Sequence, residues 1–233
     1  MKVIGHIYTE FPEKFGIPRQ SGLVENARGK IVFENPYRVA EAVRGLEHYS
    51  HIWILWKFSE SERSEWSPTV RPPRLGGKKR IGVFATRSPF RPNPIGLSSV
   101  RLEKIVMDEK LGPVIYVSGI DMLDGTPVYD IKPYLSYCDS HPDADCGFAD
   151  EVKEHVLSVS YDTGIADILE RADLQAVCEI LAQDPRTAYV NDEEREWGLA
   201  YADYNIKFKV KGTSLQIVEV TKRQERTSKN SER

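Results

Sequence analysis

GVFATRSPFRPNPIG, residues 82–96, is the stretch around which the chain is organised. A short apolar run from Ile81 to Phe84 reads as a buried strand, and the residues after it can continue as neither strand nor helix. Pro89, Pro92 and Pro94 fix φ and remove three backbone donors. Each also pushes the residue before it, Ser88, Arg91 and Asn93, toward extended geometry. Leu97 to Val106 reads as strand again. Arg87, Ser88, Arg91 and Asn93 are therefore expected on a stiff loop between two strands, where side chains are placed at little entropic cost.

Immediately upstream the charge is one-sided. Residues 71–91 carry Arg71, Arg74, Lys78, Lys79, Arg80, Arg87 and Arg91 without a carboxylate, in a chain whose net charge is −3. Loops of this kind beside Gly76 and Gly77, where backbone can approach a ligand closely, suit a polyanionic phosphate partner. The bland alternative is a solvated basic face, but such a face needs no local excess in an acidic chain.

Working outward, short strands recur at Val3–Tyr8, Lys30–Glu34, His51–Phe58 and Pro113–Ile120, divided by Gly and Pro. The run Ile52, Trp53, Ile54, Leu55, Trp56 does not alternate, so both faces of that strand are expected to be covered. One short helix is expected from Asn35-Pro36 to Gly45. Many strands with one helix imply a closed or tightly curled β-barrel over residues 1–137, not a doubly wound sheet. The G-x-G fingerprint of a Rossmann-type site is missing after the first strand. DMLDGTPVYDIKPY (121–134) is read as following the last barrel strand, with Asp124-Gly125 as a turn. Beyond residue 139 the composition shifts: residues 141–200 hold fifteen Asp and Glu against four Lys and Arg. Helices are expected over 148–157 and 164–182, the second interrupted near Asp173, and strands over 201–210 and 215–220. Residues 138–220 thus read as a small α+β domain and 221–233 as a flexible tail. Three cysteines without a C-x-x-C pair argue for a reducing compartment. Cys138, His141 and Cys146 are too irregularly spaced for a zinc set. The first ten residues have no signal-peptide core, and the apolar run Ile52–Trp56 is far too short to span a membrane, so a cytoplasmic protein is expected.

Several separated motifs, IPRQSGLV (17–24), SHIWILW (50–56), VRPPRLGG (70–77), the 82–96 loop, DMLDGTPVYDIKPY and LAQDPRTAY (181–189), together resemble the TrmO (TsaA-like) family. The resemblance runs from Ile4 to about Tyr204; Ser21 and Thr187 stand where that family often has proline. It implies a mainly β fold, with an N-terminal β-barrel that binds S-adenosyl-L-methionine outside the Rossmann class. It further implies methyl transfer to N6 of threonylcarbamoyladenosine (t6A) at position 37, next to the anticodon of tRNA, and a homodimer. By the same resemblance the cofactor site draws on Arg19, Gln20, Ser21, Lys57, Phe58, Arg87, Leu97, Ser118, Gly119, Ile120 and Asp121. Asp121, Asp124, Asp130 and Tyr134 are candidate bases, with no choice among them. Arg91, Lys132 or Arg186 would meet the threonyl carboxylate. Arg71, Arg74, Lys78, Lys79 and Arg80 would attract the tRNA, and Arg186 and Tyr189 would hold it or its modified base. The rival reading is a non-catalytic RNA-binding barrel, which would ignore the cofactor. A metal hydrolase built on the clustered aspartates lacks histidine ligands.

Overall fold

Six antiparallel strands close on themselves in the computed structural model, which describes residues 1–61, 65–75, 79–152, 156–186 and 192–223. β1 (Gly5–Thr9), β2 (Arg28–Phe33) and β3 (His51–Lys57) come first. A two-stranded ribbon, β4 (Thr69–Val70) with β5 (Ile81–Gly82), is inserted before β6 (Ile95–Asp108), β7 (Gly112–Ser118) and β8 (Thr126–Pro133). The order around the barrel is β1-β2-β7-β6-β3-β8, and closure gives every one of these strands a neighbour on both sides.

Alternation decides what fills the barrel. Ile7, Ile31, Ile52, Ile54, Trp56, Val100, Ile115 and Val128 are buried, each side chain of this size worth about 1.5–3 kcal/mol when taken out of water. Trp56 lies opposite Gly96, where an added Cβ would fall 2.2 Å from the indole. Glycine on β6 therefore makes room for the ring. The strand β3 alternates in burial although its composition does not. Its outward Trp53 is only partly covered, by the Tyr134 ring at 5.6 Å, and donates its indole N–H to Asp139 at 2.8 Å.

Three barrel readings are corrected. The expected strand Ile81–Phe84 stops at Gly82; Val83–Ala85 form a 3-10 turn that buries Val83 and turns Phe84 outward. Its ladder is limited to β4, because prolines at 68, 72 and 73 shorten the partner. DMLDGTPVYDIKPY does not follow the last barrel strand: Thr126–Pro133 is that strand, zipped between β1 and β3. Polar residues on β8 hid it, since Asp130 stands opposite Leu55 at a register shift. The helix expected over 35–45 is a pair of 3-10 turns, Asn35–Tyr37 and Ala40–Val43.

The remainder of the chain holds α1 (Ser136–Asp139), β9 (Ser158–Ser160), α2 (Thr163–Ala166), α3 (Arg171–Ala182), β10 (Trp197–Tyr201), β11 (Tyr204–Lys211) and β12 (Ser214–Lys222). Their sheet runs β10-β11-β12-β9, with β9 parallel to β12. The break in the second helix falls between Ala166 and Arg171, ahead of Asp173; of the helix expected over 148–157, the described part is a 3-10 turn, Gly147–Val152, and residues 153–155 lie outside the described residues. β9 and β10 are absent from the sequence reading, and β12 extends through Lys222 into the stretch read as tail; residues 224–233 lie outside the described residues. The two sheets share one apolar core. Phe11 meets Tyr201 edge-on at 5.6 Å, and Phe15 stacks on Trp197 at 6.5 Å. Gly16, at φ +93°, approaches Leu199 so closely that a Cβ would fall 2.0 Å from its Cδ1. No helix among the described residues is long and apolar enough to cross a membrane.

Candidate active site

A cavity of about 600 Å³ opens where β3 ends and β6 and β8 begin. Its walls are the 17–21 loop, the proline-stiffened 86–91 loop, Lys57 and Phe58 at the end of β3, and Gly96 and Leu97 on β6. This is the size of a site for a nucleoside-sized ligand.

Asp121 lies in this cavity on a relay of buried groups. Trp56 Nε1–H donates to Ser98 Oγ at 2.9 Å, and Ser98 Oγ–H donates to Asp121 Oδ1 at 2.6 Å. Ser98 is 1% exposed, on the inward side of β6 among apolar neighbours. Its two bonds explain why a hydroxyl is tolerated there. Burial pushes the Asp121 carboxyl up to about 6, against the opposing pull of Ser98, of its own and the Ser21 amides, and of the Arg87 charge. Such a carboxylate changes charge near neutral pH, as general bases do.

Above it, Arg87 donates through NH1 to Gln20 Oε1 and ties the two loops together. Arg91 also lines the cavity, but its NH1 donates to Thr86 O at 2.7 Å and to Val83 O at 3.3 Å. It thereby staples the loop that carries Arg87. Arg19 donates through NH2 to Asp184 O at 2.8 Å, linking the 17–21 loop to the segment after α3. Asp184, at φ +50°, also holds Arg186 in a two-point ion pair, Nε–Oδ1 2.7 Å and NH2–Oδ2 2.9 Å. LAQDPR therefore acts on the site through Asp184.

The expected cofactor set divides. Arg19, Gln20, Ser21, Lys57, Phe58, Arg87, Leu97 and Asp121 line the cavity together. Ser118, Gly119 and Ile120 do not: Ser118 Oγ donates to Glu103 at 2.5 Å, and Gly119 O accepts from Gly22 N at 2.8 Å. Gly119 and Ile120 brace the loop that follows Ser21, through Gly22 and Ala27. Of the four candidate bases only Asp121 lines the cavity. Asp124 accepts from Thr9 N at 2.9 Å as a turn cap, Asp130 pairs with Lys132 at 2.8 Å on β8, and Tyr134 packs beside His51 and Trp53. Lys132 and Arg186 are thus held in ion pairs away from the cavity lining. Arg71, Lys79 and Arg80 are exposed on and beside the ribbon, with Arg80 Nε bonded to Thr69 Oγ1 at 2.7 Å. Lys78 and Tyr189 lie outside the described residues, as does the side chain of Arg74. Ser98, Trp56 and Asp184 escaped the sequence reading. The one available signal was Ser98, a polar residue at an inward position of an alternating strand.

Comparison with known proteins agrees with this architecture. The profile of the tRNA-methyltransferase O N-terminal domain matches residues 6–140, and that of the TrmO C-terminal domain matches residues 149–223. The tRNA (adenine(37)-N6)-methyltransferase of Escherichia coli (strain K12) is 44% identical over 224 residues, covering 92% of this chain and 94% of that protein. A putative S-adenosylmethionine-dependent methyltransferase, RcsF, of Pseudomonas aeruginosa is 42% identical over 87% of this chain and 89% of its own length. The crystal structure of TrmO from Pseudomonas aeruginosa superposes with a TM-score of 0.76 at 34% identity, covering 95% of this chain and 97% of that one. With both profiles matched in order across barrel and appendage, the chain belongs to the tRNA-methyltransferase O family.

Proposed function

We propose that this protein transfers the methyl group of S-adenosyl-L-methionine to N6 of t6A at position 37 of tRNA, giving m6t6A. The observation that carries the reading is a carboxylate, Asp121, held by Ser98 and pushed up to about 6 by burial, in a cavity walled by Arg87, Gln20 and Phe58. The residues fit the cofactor. Arg87 and Lys57 offer cations for an amino-acid carboxylate, Gln20 and Ser21 offer polar contacts, and Phe58 and Leu97 offer flat apolar surface to a purine. When bound, the cofactor supplies a methyl group already activated on a sulfonium.

The protein's own task is then orientation and one proton. The N6 lone pair of t6A is shared with the purine and with the carbamoyl group, so that nitrogen is a weak nucleophile until its proton is removed or tightly held. Asp121 is the group in position to accept that proton, while Trp56 and Ser98 keep its Oδ1 in place. Arg91 is the cation for the threonyl carboxylate: unlike Lys132 and Arg186, it lines the cavity. Arg71, Lys79 and Arg80 supply long-range attraction for tRNA phosphates. A homodimer working in the cytoplasm, where its tRNA substrate is found, completes the reading.

Calorimetry with S-adenosylmethionine, followed by methylation of tRNA with and without t6A, tests it. The wild type is expected to bind the cofactor, and Arg87→Ala to bind it about ten- to a hundred-fold more weakly through loss of a charged hydrogen bond. Unmodified tRNA should be methylated far more slowly, because the cation meant for the threonyl carboxylate is left unpaired. Equal rates on plain adenosine would remove t6A as the substrate. Failure to bind the cofactor would favour the non-catalytic RNA-binding module.

A further inference from the structure

Trp66 and Phe84 are large aromatic side chains left 52% and 71% exposed, and they are neighbours, with ring centroids 6.0 Å apart. Exposure of Phe84 is built into the backbone. Val83 N–H donates to Pro68 O at 2.9 Å, which anchors the 3-10 turn with Val83 inward and its neighbour outward. Arg91 places its guanidinium carbon 5.8 Å from the Phe84 ring centroid while lining the cavity, and Thr86, two residues on, is also in the cavity wall. Phe84 therefore stands beside the cavity wall, with Trp66 against its ring.

Its surroundings choose the occupant. Residues 66–102 contain eight Lys and Arg and no Asp or Glu. An exposed aromatic pair on a segment whose charges are all positive matches the needs of a single-stranded nucleic acid, whose bases present flat faces and whose backbone presents phosphates. We propose that Trp66 and Phe84 form a stacking platform for an unpaired RNA base beside the one delivered to the cavity. The platform rests on the proposed tRNA substrate and adds the residues that distinguish an open loop from a duplex. Phosphate contacts from Arg71 and Arg80 attract any RNA, whereas stacking requires bases that are out of a helix.

The test is fluorescence anisotropy with two labelled RNAs of equal charge, an anticodon-arm stem-loop and a blunt duplex, at several salt concentrations. Phe84→Ala is expected to weaken stem-loop binding about ten- to a hundred-fold, as loss of base–aromatic stacking does. Duplex affinity, the salt slope and S-adenosylmethionine affinity are expected to stay the same. Phe84→Tyr should restore stem-loop binding, and Trp66→Ala should act in the same direction as Phe84→Ala. In contrast, Arg71→Gln with Arg80→Gln should weaken both RNAs and flatten the slope by about 0.7 for each single-strand phosphate no longer neutralised. The proposal is overturned if Phe84→Ala binds the stem-loop like wild type or weakens both RNAs equally. It is also overturned if sedimentation shows that Phe84→Ala changes the oligomeric state, which would place a second copy of the chain on the rings. If wild type binds the stem-loop through Phe84 yet fails to methylate t6A-bearing tRNA, the functional reading falls and the platform stands.

Discussion

Asp121→Asn is expected to lower the rate of methyl transfer by about 10²–10⁴-fold, the usual contribution of a positioned base, while making the protein more stable. Both effects come from the same burial. In the wild type the rate should climb as pH rises through about 6, where the carboxyl loses its proton, and then level off. The asparagine variant should lack that rise. A loss confined to cofactor affinity, with the pH profile intact, would reassign the carboxylate to holding the cofactor. The stability sign follows from linkage. The folded-state value, about 6, lies above the value of 3.8 for an ordinary aspartate, so the folded protein binds this proton more tightly than the unfolded chain does. That contribution is complete below about pH 4 and is lost as pH rises through 6. At pH 7.5 the wild type therefore carries a burden of up to about 3 kcal/mol that the amide avoids. Asn can still accept from Ser98. Thermal melts should show the variant several degrees higher at pH 7.5, at about 2–4 °C per kcal/mol for a chain of this size, and level with wild type at pH 4.

The second large effect lies outside the cavity. Asp184 and Arg186 are only 10% and 12% exposed at their side chains, and the guanidinium covers both carboxylate oxygens. Arg186→Met is expected to cost about 3–5 kcal/mol, because it strips a buried carboxylate of its bidentate partner. Urea unfolding should show this as a lower midpoint. Arg186→Lys should recover little, since an ammonium does not reproduce the two-point fork. Asp184→Asn together with Arg186→Met should recover most of it, as asparagine tolerates φ +50° and removes the charge. Cofactor affinity should fall in Arg186→Met as well, because Arg19 is anchored on Asp184 O. Full stability in the single variant would mean that the pair is dispensable.

The outline of the barrel was legible because inward positions on β1, β2, β3 and β7 are apolar and the gaps between them carry Gly and Pro. β8 was not, because Asp130 and Lys132 pair with each other on the outside and give a strand the composition of a loop. β9 contributes only three residues, two of them serine, and its partner is more than fifty positions away, so nothing local marks it. The cavity was legible where chemistry and rigidity coincide in sequence, as at Arg87 on its proline-stiffened loop. It was not legible where a residue acts by contact across the fold. Ser98 and Trp56 matter only because β3 and β6 pair in a register that brings a hydroxyl under an indole and beside a carboxylate 23 residues further on. Among four similar candidates, only topology separated Asp121 from Asp124, Asp130 and Tyr134.

Closure of the barrel through β8 has a consequence for the birth of the protein. β1 pairs on one side with β2, Ile7 against Ile31, which follows it closely in the chain, but its other neighbour is Thr126–Val128. A ribosome adding about 5–20 residues per second makes β8 roughly 5–20 s after β2 is complete. Throughout that interval the outer edge of the β1–β2 hairpin stays open to pairing with any strand it meets. Barrel formation is therefore expected to be governed by translation, with misassembly on the ribosome its main hazard, and slowing synthesis between β2 and β8 should lengthen the exposed interval in direct proportion.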